Sequence, residues 1–563
     1  MTATDVAVAV EAPARAPAPE GSLRARALVA VPAYLPVALI AAGGWVHRWT
    51  TEDAFINFRI LDNLFAGDGP VFNAGERVEA GTSPLWLGLL AVGRVLFGWL
   101  APIEWIAVVM GLVAAVAAFA LAGRCARLAA PRPDTAVVAI GPLVVSSVAV
   151  VWDFATSGLE MSLAWLWIAI CWYVLCRIAR GDSPSAGKRA LGAAVIGLGP
   201  LVRPDLGVMM LCFVVAWFLL TRPRRVVVDL GAIFLAPVLY QVFRMGYYAS
   251  VVPSTALAKD AGGHHIRQGW RYLADFSGPY RLLFPAALIL AAIAVRLWRD
   301  RDRGTVIATG AVLAAAGLHA AYILAAGGDY MHGRLLLPAF FALGLPAYVV
   351  LRGRVLPLLA LSVLTGAWAA AAIVWFRPAV PPPGIPMVAD WRQITGSGVM
   401  PDDFELVPTG MVAGEVYDRG LRGYLGPMQR RPDAGRDPDA LVVALGAIGL
   451  PAYQLGTDVR VIDIGGLAEP LAAHTDPIPG RPAGHRKQVD LAWYTARFGV
   501  PDDDDVAAQD AARALGCGPV AGLLDSVSRP LTPGRFLSNM WHSVTYTRLR
   551  IPADPTKAAD EFC

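Results

Sequence analysis

PLWLGLLAVGRVLFG, residues 84–98, decides how this chain threads a membrane. The stretch is apolar, but it is short, opens on Pro84 and carries Arg94. A membrane-crossing helix needs about 20 mostly apolar residues to span a core of roughly 30 Å. Residues 84–98 therefore read as an outer interfacial helix rather than a span.

The other apolar runs fall near 28–46, 103–122, 135–151, 161–177, 190–202, 206–221, 226–245, 282–298, 305–326, 335–351 and 355–376. If residues 84–98 also crossed, strict alternation would place Arg124, Arg127 and Arg132 outside, along with Arg296, Arg299, Arg301 and Arg303. That breaks the positive-inside rule repeatedly. With 84–98 kept on the outer surface, both clusters face the cytoplasm. So do Arg177, Arg180, Lys188 and Arg189, then Arg222, Arg224 and Arg225, then Arg352 and Arg354. The expectation is a polytopic α-helical membrane protein of about eleven spans, N-terminus inside and C-terminus outside. The run 190–202 is too short to cross comfortably and is expected beside a water-filled vestibule.

Composition agrees. The 563 residues carry 16% charge and a mean hydropathy of +0.51, where a soluble chain would carry about 25% charge. The net charge of +4 and the lack of a basic stripe interleaved with aromatics argue against a nucleic-acid partner. Residues 1–27 read as a disordered cytoplasmic tail, with Arg15, Arg24 and Arg26 ahead of the first run. Residues 28–376 form the membrane domain. From Arg377 to residue 563 the composition turns polar, after a proline-rich linker VPPPGIP at 380–386. In this tail LVVAL (441–445), a helical stretch through Ala452 and VRVIDI (459–464) suggest a mixed α/β domain. TPGRF, VTYTRLRIP and EFC suggest a further strand region, and the DDDD run at 502–505 a solvated helix start. Cys125, Cys171, Cys176 and Cys212 lie in or beside apolar runs as small fillers. Cys517 and Cys563 are expected to form a disulfide, because this tail faces an oxidising compartment.

The outer side then collects the ionisable residues at membrane depth, which are costly unless functional. TEDAFINFRILDNLFAGDGPVFNAGERVEAGTSPLW follows the first span. Glu52 and Asp53 sit there beside Ala54, Phe55 and Ile56, where partial desolvation raises carboxylate basicity. A helix-capping acid pair is the plainer alternative. Arg59, Asp62 and Asn63 extend the polar content of the same short helix. In GGDYMHGR (327–334), His332 and Arg334 suit phosphate, and Asp329 suits orienting either of them or holding a metal. A tight turn with Asp329 paired to Arg334 is the structural alternative. Arg203 and Asp205 in RPD suit phosphate recognition or a mutual salt bridge. Glu160 in SGLEM suits a sugar contact or a helix cap, and Lys259 in VVPSTALAKD a phosphate contact or snorkelling. His264 and His265 are adjacent and lack partners at ligand spacing. The chain has no GxxxxGK[ST], GxGxxG after a strand, HExxH or GxSxG, which weakens ATP-driven and hydride chemistry.

These outer-loop motifs resemble those of GT-C glycosyltransferases, which use lipid-linked sugars. SGLEM, RPD, PSTALAK and GGDYMHGR, with GAIGLPAYQLGTDVRVIDIGGLAEPLAAH in the tail, are similar to one subgroup, the terminal β-(1→2)-arabinofuranosyltransferases of cell-wall arabinan synthesis. The resemblance covers nearly all of the chain after the first ~30 residues, and relatives often carry two aspartates where this chain has Glu52–Asp53. It implies a GT-C fold in a plasma membrane with a C-terminal periplasmic domain that binds acceptor. It implies decaprenylphosphoryl-β-D-arabinofuranose as donor and the ends of arabinogalactan or lipoarabinomannan as acceptor. Asp53 is implied as the catalytic carboxylate, with Glu52 beside it. Arg203, Lys259, His332 and Arg334 would meet the donor phosphate, and Arg59, Glu160, Asp205 and Asp329 the sugar or acceptor. Some GT-C enzymes hold a divalent cation on acidic outer-loop residues, so metal-dependent and metal-free sites both stay open. A β donor and a β product mean retention, through a carboxylate nucleophile or through same-face attack with the leaving phosphate as base. Two other classes fit the architecture: a transporter of lipid-linked sugar, which would place its site near the midplane, and a membrane scaffold or motility-related relative.

Overall fold

Apolar residues outnumber what a single core can bury, so most long segments form helices whose backbone groups are satisfied internally. The computed structural model describes residues 23–130, 132, 135–221, 225–259, 265–352, 355–378, 442–478, 487, 489–499 and 501–563. The tail up to residue 22, Arg222, Arg224, His264, Arg354 and the linker 380–386 lie outside the described residues.

The chain is a mostly helical membrane protein. Its first half runs through α1 (Leu23–Val46), α2 (Ala54–Ala66), α3 (Pro84–Phe97), α4 (Ile103–Leu128), β1 (Val137–Val138), α5 (Ile140–Ser146), α6 (Ala149–Thr156), α7 (Met161–Ala179), α8 (Ala186–Gly197), α9 (Gly199–Val202), α10 (Gly207–Leu220) and α11 (Val226–Tyr248). Then follow α12 (Ser254–Ala258), α13 (Ile266–Ser277), α14 (Leu283–Arg299), α15 (Arg303–Ala326), α16 (Leu337–Gly344), β2 (Val349–Val350) and α17 (Val355–Val374). Among the described residues, five helices are long and apolar enough to cross a membrane: α4, α7, α11, α15 and Leu356–Val374 within α17. Val31–Val46, Pro84–Phe97, Pro204–Leu220 and Arg334–Gly344 are shorter apolar helices. α3 is amphipathic in its burial. Trp86, Leu90 and Gly93 face inward while Val92, Val95, Leu96 and Phe97 are exposed.

Two runs expected to cross as single helices do not. Residues 135–151 break into β1, α5 and the start of α6, and 335–351 into a 3-10 turn, α16 and β2. β1 and β2 pair antiparallel, Val137 with Val350 and Val138 with Val349. The cause is local. Ser146 and Ser147 return their hydroxyls to the Leu143 carbonyl at the break between α5 and α6. Pro346 follows the end of α16 and disfavours helix before it. The two short helices meet at Gly141, where a Cβ would lie 2.1 Å from the Gly344 carbonyl oxygen.

The polar tail contains β3 (Val442–Leu445), α18 (Leu450–Gln454) and β4 (Arg460–Asp463), with β3 and β4 parallel from Val442↔Arg460 to Leu445↔Asp463. Helices α19 (Pro470–His474), α20 (Leu491–Phe498), α21 (Val506–Leu515), α22 (Gly518–Ser528), α23 (Pro533–Arg548) and α24 (Pro555–Phe562) complete it. Asp505, the last of the four aspartates, caps α21 by accepting from Ala508 N. The stretches TPGRF, VTYTRLRIP and EFC are largely helical, in α23 and α24, and not the strand region expected from their β-branched content. Thr532 caps α23 and Pro533 occupies its first turn, a start signal that outweighs strand propensity. Cys517 and Cys563 are disulfide-bonded, with Cα atoms 5.4 Å apart.

The tail is not a separate bead. Ile56, Ile60, Phe72 and Ala80 of the stretch that follows α1 share one hydrophobic core with Val443, Leu445, Ile448, Ala452 and Val461. That shared core fixes the loop on which the candidate site is built.

Candidate active site

Asp53 is the residue ahead of α2, held in helical conformation without a side-chain cap bond, so its carboxylate is not used up as a cap. It lines a cavity of about 180 Å³ together with Asn57, Thr82, Glu160, Arg203, Asp205, Lys259 and Arg334. Most of that wall is apolar, from Ile56, Leu159, Tyr322, Ile323, Leu335 and, from the C-terminal part, Leu467. A small number of convergent polar groups in an otherwise apolar concavity is what a ligand site requires.

Arg334 is the hub. Its Nη1 lies 3.2 Å from Asp53 Oδ2 and 3.7 Å from Asp329 Oδ2, and its Nη2 lies 3.6 Å from Glu160 Oε1. Arg203 bonds Glu160 through Nη1 and Asp205 through Nε at 3.0 Å. Burial alone would raise the Glu160 pKa, but the Arg203 and Arg334 charges outweigh it and hold the carboxyl below its ordinary value. His319, fully buried on α15, bonds Asp205 Oδ2 at 2.8 Å. Lys259 approaches Asp329 Oδ1 at 3.7 Å and lies 5.8 Å from the Tyr330 ring centroid. It is the least buried cation of the set, at 31% side-chain exposure.

Glu52 does not line the cavity. It sits behind Asp53 and accepts from Gly449 N at 2.5 Å. Burial, then the neighbouring Asp53 charge, pushes its pKa up to about 8. Tyr330 fixes Asp53 from the other side, its hydroxyl 3.0 and 2.9 Å from the two carboxylate oxygens.

Six of the expected site residues thus line one cavity: Asp53, Glu160, Arg203, Asp205, Lys259 and Arg334. Asp329 backs Lys259 and Arg334. Two residues lie elsewhere. His332 bonds Asp275 Oδ2 through Nδ1 at 2.6 Å and packs near Phe276 and Tyr280, outside the cavity wall. Gly333, at φ 64°, turns the backbone between His332 and Arg334, and the two side chains go to different neighbours. Arg59 is 1% exposed and donates to the carbonyls of Phe72, Ala452, Gly456 and Val459. Its fifth N–H goes to Asn73 Oδ1 at 3.4 Å, so it ties the loop 47–83 to the tail and has no donors left over for sugar. The sequence motifs contained Tyr330, Thr82 and Thr255 without marking them. Tyr330 lay between two stronger signals, Asp329 and His332.

The donor set suits anion and sugar contacts better than a metal. Among the described residues no three His, Cys, Asp or Glu side chains converge as ligands. The carboxylates nearest the cavity turn toward guanidinium groups instead.

Residues 426–561 match the AftB family C-terminal domain. The chain is 34% identical to the terminal β-(1→2)-arabinofuranosyltransferase of Mycobacterium tuberculosis, over 94% of this chain and 97% of that protein. It is 32% identical to the protein of the same name from Corynebacterium glutamicum, over 92% of this chain and 85% of that one. The chain belongs to the terminal β-(1→2)-arabinofuranosyltransferase family. No solved structure matches it. Among the described residues, this cavity gathers Asp53, Glu160, Arg203, Asp205, Lys259 and Arg334 from the quoted motifs. The family's C-terminal domain also contributes to it directly, through Leu467 on the wall and Gly449 against Glu52.

Proposed function

We propose that this protein transfers arabinofuranose from decaprenylphosphoryl-β-D-arabinofuranose to the non-reducing ends of arabinan, forming terminal β-(1→2) linkages at the periplasmic face. The observation that carries this reading is Asp53, 18% exposed on the wall of a cavity that also presents Arg203, Lys259 and Arg334.

The roles follow from which groups remain available. Asp53 is the catalytic carboxylate. Arg334 and Tyr330 hold both of its oxygens, which fixes its direction toward the cavity. Lys259 is the first contact for the leaving phosphate, because its one ionic partner among the described residues is 3.7 Å away and its side chain is the most exposed of the cavity's cations. Arg203 and Arg334 stabilise the charge that develops as the glycosidic bond breaks. Glu160 and Asp205 orient these two arginines and accept from sugar hydroxyls. Glu52, protonated at neutral pH, is a neighbour that positions Asp53 rather than a second nucleophile.

On this reading the chain makes about eleven crossings, two of them through the broken segments 135–151 and 335–351, with α3 on the outer surface and the C-terminus outside, so that the cavity and the tail share the side of the acceptor polymer. The tail then covers the cavity and guides the arabinan end into it. The test is a transfer assay with purified full-length protein, synthetic decaprenylphosphoryl arabinofuranose and a short α-linked arabinan acceptor. A new β-(1→2)-linked terminal residue is expected from the wild type. Asp53→Asn should lose transfer by on the order of 10²–10⁴-fold. Wild-type turnover by Asp53→Asn would reject the assignment, and donor binding without any product would favour a carrier of lipid-linked sugar.

A further inference from the structure

A second cavity, of about 320 Å³, lies at the other end of the helical bundle. α15 separates the two. Tyr322, Ile323 and Ala326 at its C-terminal end line the candidate active site, whereas Arg299 and Asp300, just ahead of its N-terminus, line the second cavity. A helix of 24 residues is about 36 Å long, enough to cross a bilayer core. The two cavities therefore open on opposite faces.

Three arginines line this second cavity: Arg296, Arg299 and Arg352. Arg296 is 6% exposed. Its Nη1 donates to Thr309 Oγ1 at 2.9 Å and to the Pro346 carbonyl at 3.3 Å. Its guanidinium lies 4.7 Å from the Tyr348 ring centroid and 5.7 Å from that of Trp172, and its buried Nε has no hydrogen-bond partner. Among the described residues, Arg299 reaches only the Val350 carbonyl, at 3.4 Å. Among the described residues no carboxylate pairs with any of the three. The contrast with the active site is sharp: there, the buried Arg203 and Arg334 are both matched by carboxylates. A buried guanidinium that is oriented but has no counter-charge calls for an anion.

We propose that this cavity binds a phosphate group. Guanidinium forks match phosphate oxygens in a planar, charge-assisted geometry. Arg296 is already fixed by its two hydrogen bonds and flanking rings, while the exposed Arg299 and Arg352 can close on the anion from the surface. Asp300, the only carboxylate on the wall among the described residues, sits with the exposed pair and can accept from a hydroxyl carried on the same ligand. The phosphate can come from an anionic phospholipid headgroup, drawn to basic groups at a membrane face, or from the free anion.

The experiment uses delipidated full-length protein, with native mass spectrometry as readout. Phosphatidylglycerol, zwitterionic phosphatidylcholine and inorganic phosphate are titrated separately. The wild type should bind phosphatidylglycerol about tenfold more tightly than the double variant Arg299→Gln/Arg352→Gln, with phosphatidylcholine the same on both. Loss confined to inorganic phosphate would assign the free anion as ligand. Both substituted residues are exposed, so folding is not at stake, and an unchanged thermal unfolding profile verifies it. Arg296→Gln should give the larger loss if it folds. Equal binding of phosphatidylglycerol and of inorganic phosphate by the wild type and the double variant would overturn the proposal.

Discussion

The Tyr330 hydroxyl lies 3.0 and 2.9 Å from the two carboxylate oxygens of Asp53, a residue 277 positions earlier in the chain. Burial and the Asp53 charge push the Tyr330 pKa up, so its hydroxyl remains a donor at any working pH. Tyr330→Phe removes that bond without changing the ring. A hydrogen bond to a charged group is worth about 1.5–3 kcal/mol. Transfer should therefore fall roughly 10–100-fold, chiefly in kcat, with little change in donor KM. An unchanged kcat would mean that Arg334 alone positions Asp53.

Glu52 gives the site its pH dependence. Its pKa is raised to about 8, first by burial and then by Asp53. The folded chain therefore keeps a proton that the unfolded chain has already released. The stability contributed by this group is full below pH 4.5, declines as pH rises, and is lost by about pH 8. Activity should decline on an alkaline limb centred near pH 8, where Glu52 ionises in the folded protein and a second negative charge appears beside Asp53. Glu52→Gln mimics the protonated form, so it should keep transfer within roughly tenfold at pH 7 and flatten the limb near pH 8. A pH–rate profile of the variant with the same alkaline limb would assign the titration to another group.

The Cys517–Cys563 bond closes a loop of sequence separation 46 in the tail. On the chain-entropy account this contributes roughly 4 kcal/mol. The paired substitution Cys517→Ser/Cys563→Ser should lower the unfolding temperature of the tail, with transfer retained at moderate temperature because neither cysteine lines the cavity. Equal thermal stability of the oxidised and substituted proteins would show that packing of α21, α22 and α24 suffices.

Much of this molecule was legible as pattern, and the exceptions share a cause. Asp53, Glu160, Arg203, Asp205, Lys259 and Arg334 stood out because ionisable side chains beside apolar runs are costly without a use. Residue type did not reveal which of those charges were already committed. Arg59 looked like a sugar contact because its helix is polar, yet three of its partners are carbonyls more than 390 positions away. His332 resembled a phosphate ligand, but its partner, Asp275, lies on α13. The runs 135–151 and 335–351 were apolar enough to span, and their apolar length outweighed the local breakers Ser146, Ser147 and Pro346; the contact between Gly141 and Gly344 that packs the resulting short helices together lies in no local window. In α23, Val544, Thr545 and Thr547 suggested a strand. Packing on α11 and the Thr532–Pro533 start prevailed, as tertiary context often does over propensity.

The tail's link to the catalytic loop can be tested at one atom. Gly449 N bonds Glu52 at 2.5 Å, and a Cβ on Gly449 would lie 1.9 Å from the Glu52 carbonyl oxygen. Backbone cannot yield there as a flexible side chain could, so Gly449→Ala must displace Glu52 and, through it, Asp53. Overpacking of this kind costs about 1–3 kcal/mol, which a protein of this size tolerates. The variant should stay folded and lose transfer by roughly 10–100-fold, although it lies outside the membrane-embedded half. Deleting the whole tail is a poorer probe. It would also strip Arg59 of its three carbonyl acceptors at Ala452, Gly456 and Val459, leaving a buried charge unsatisfied. The single substitution separates two roles of the tail. If acceptor KM rises while kcat holds, the tail acts on the acceptor alone. If kcat falls while acceptor KM holds, Gly449 sets the geometry of the catalytic carboxylate, which is the outcome expected from the contact.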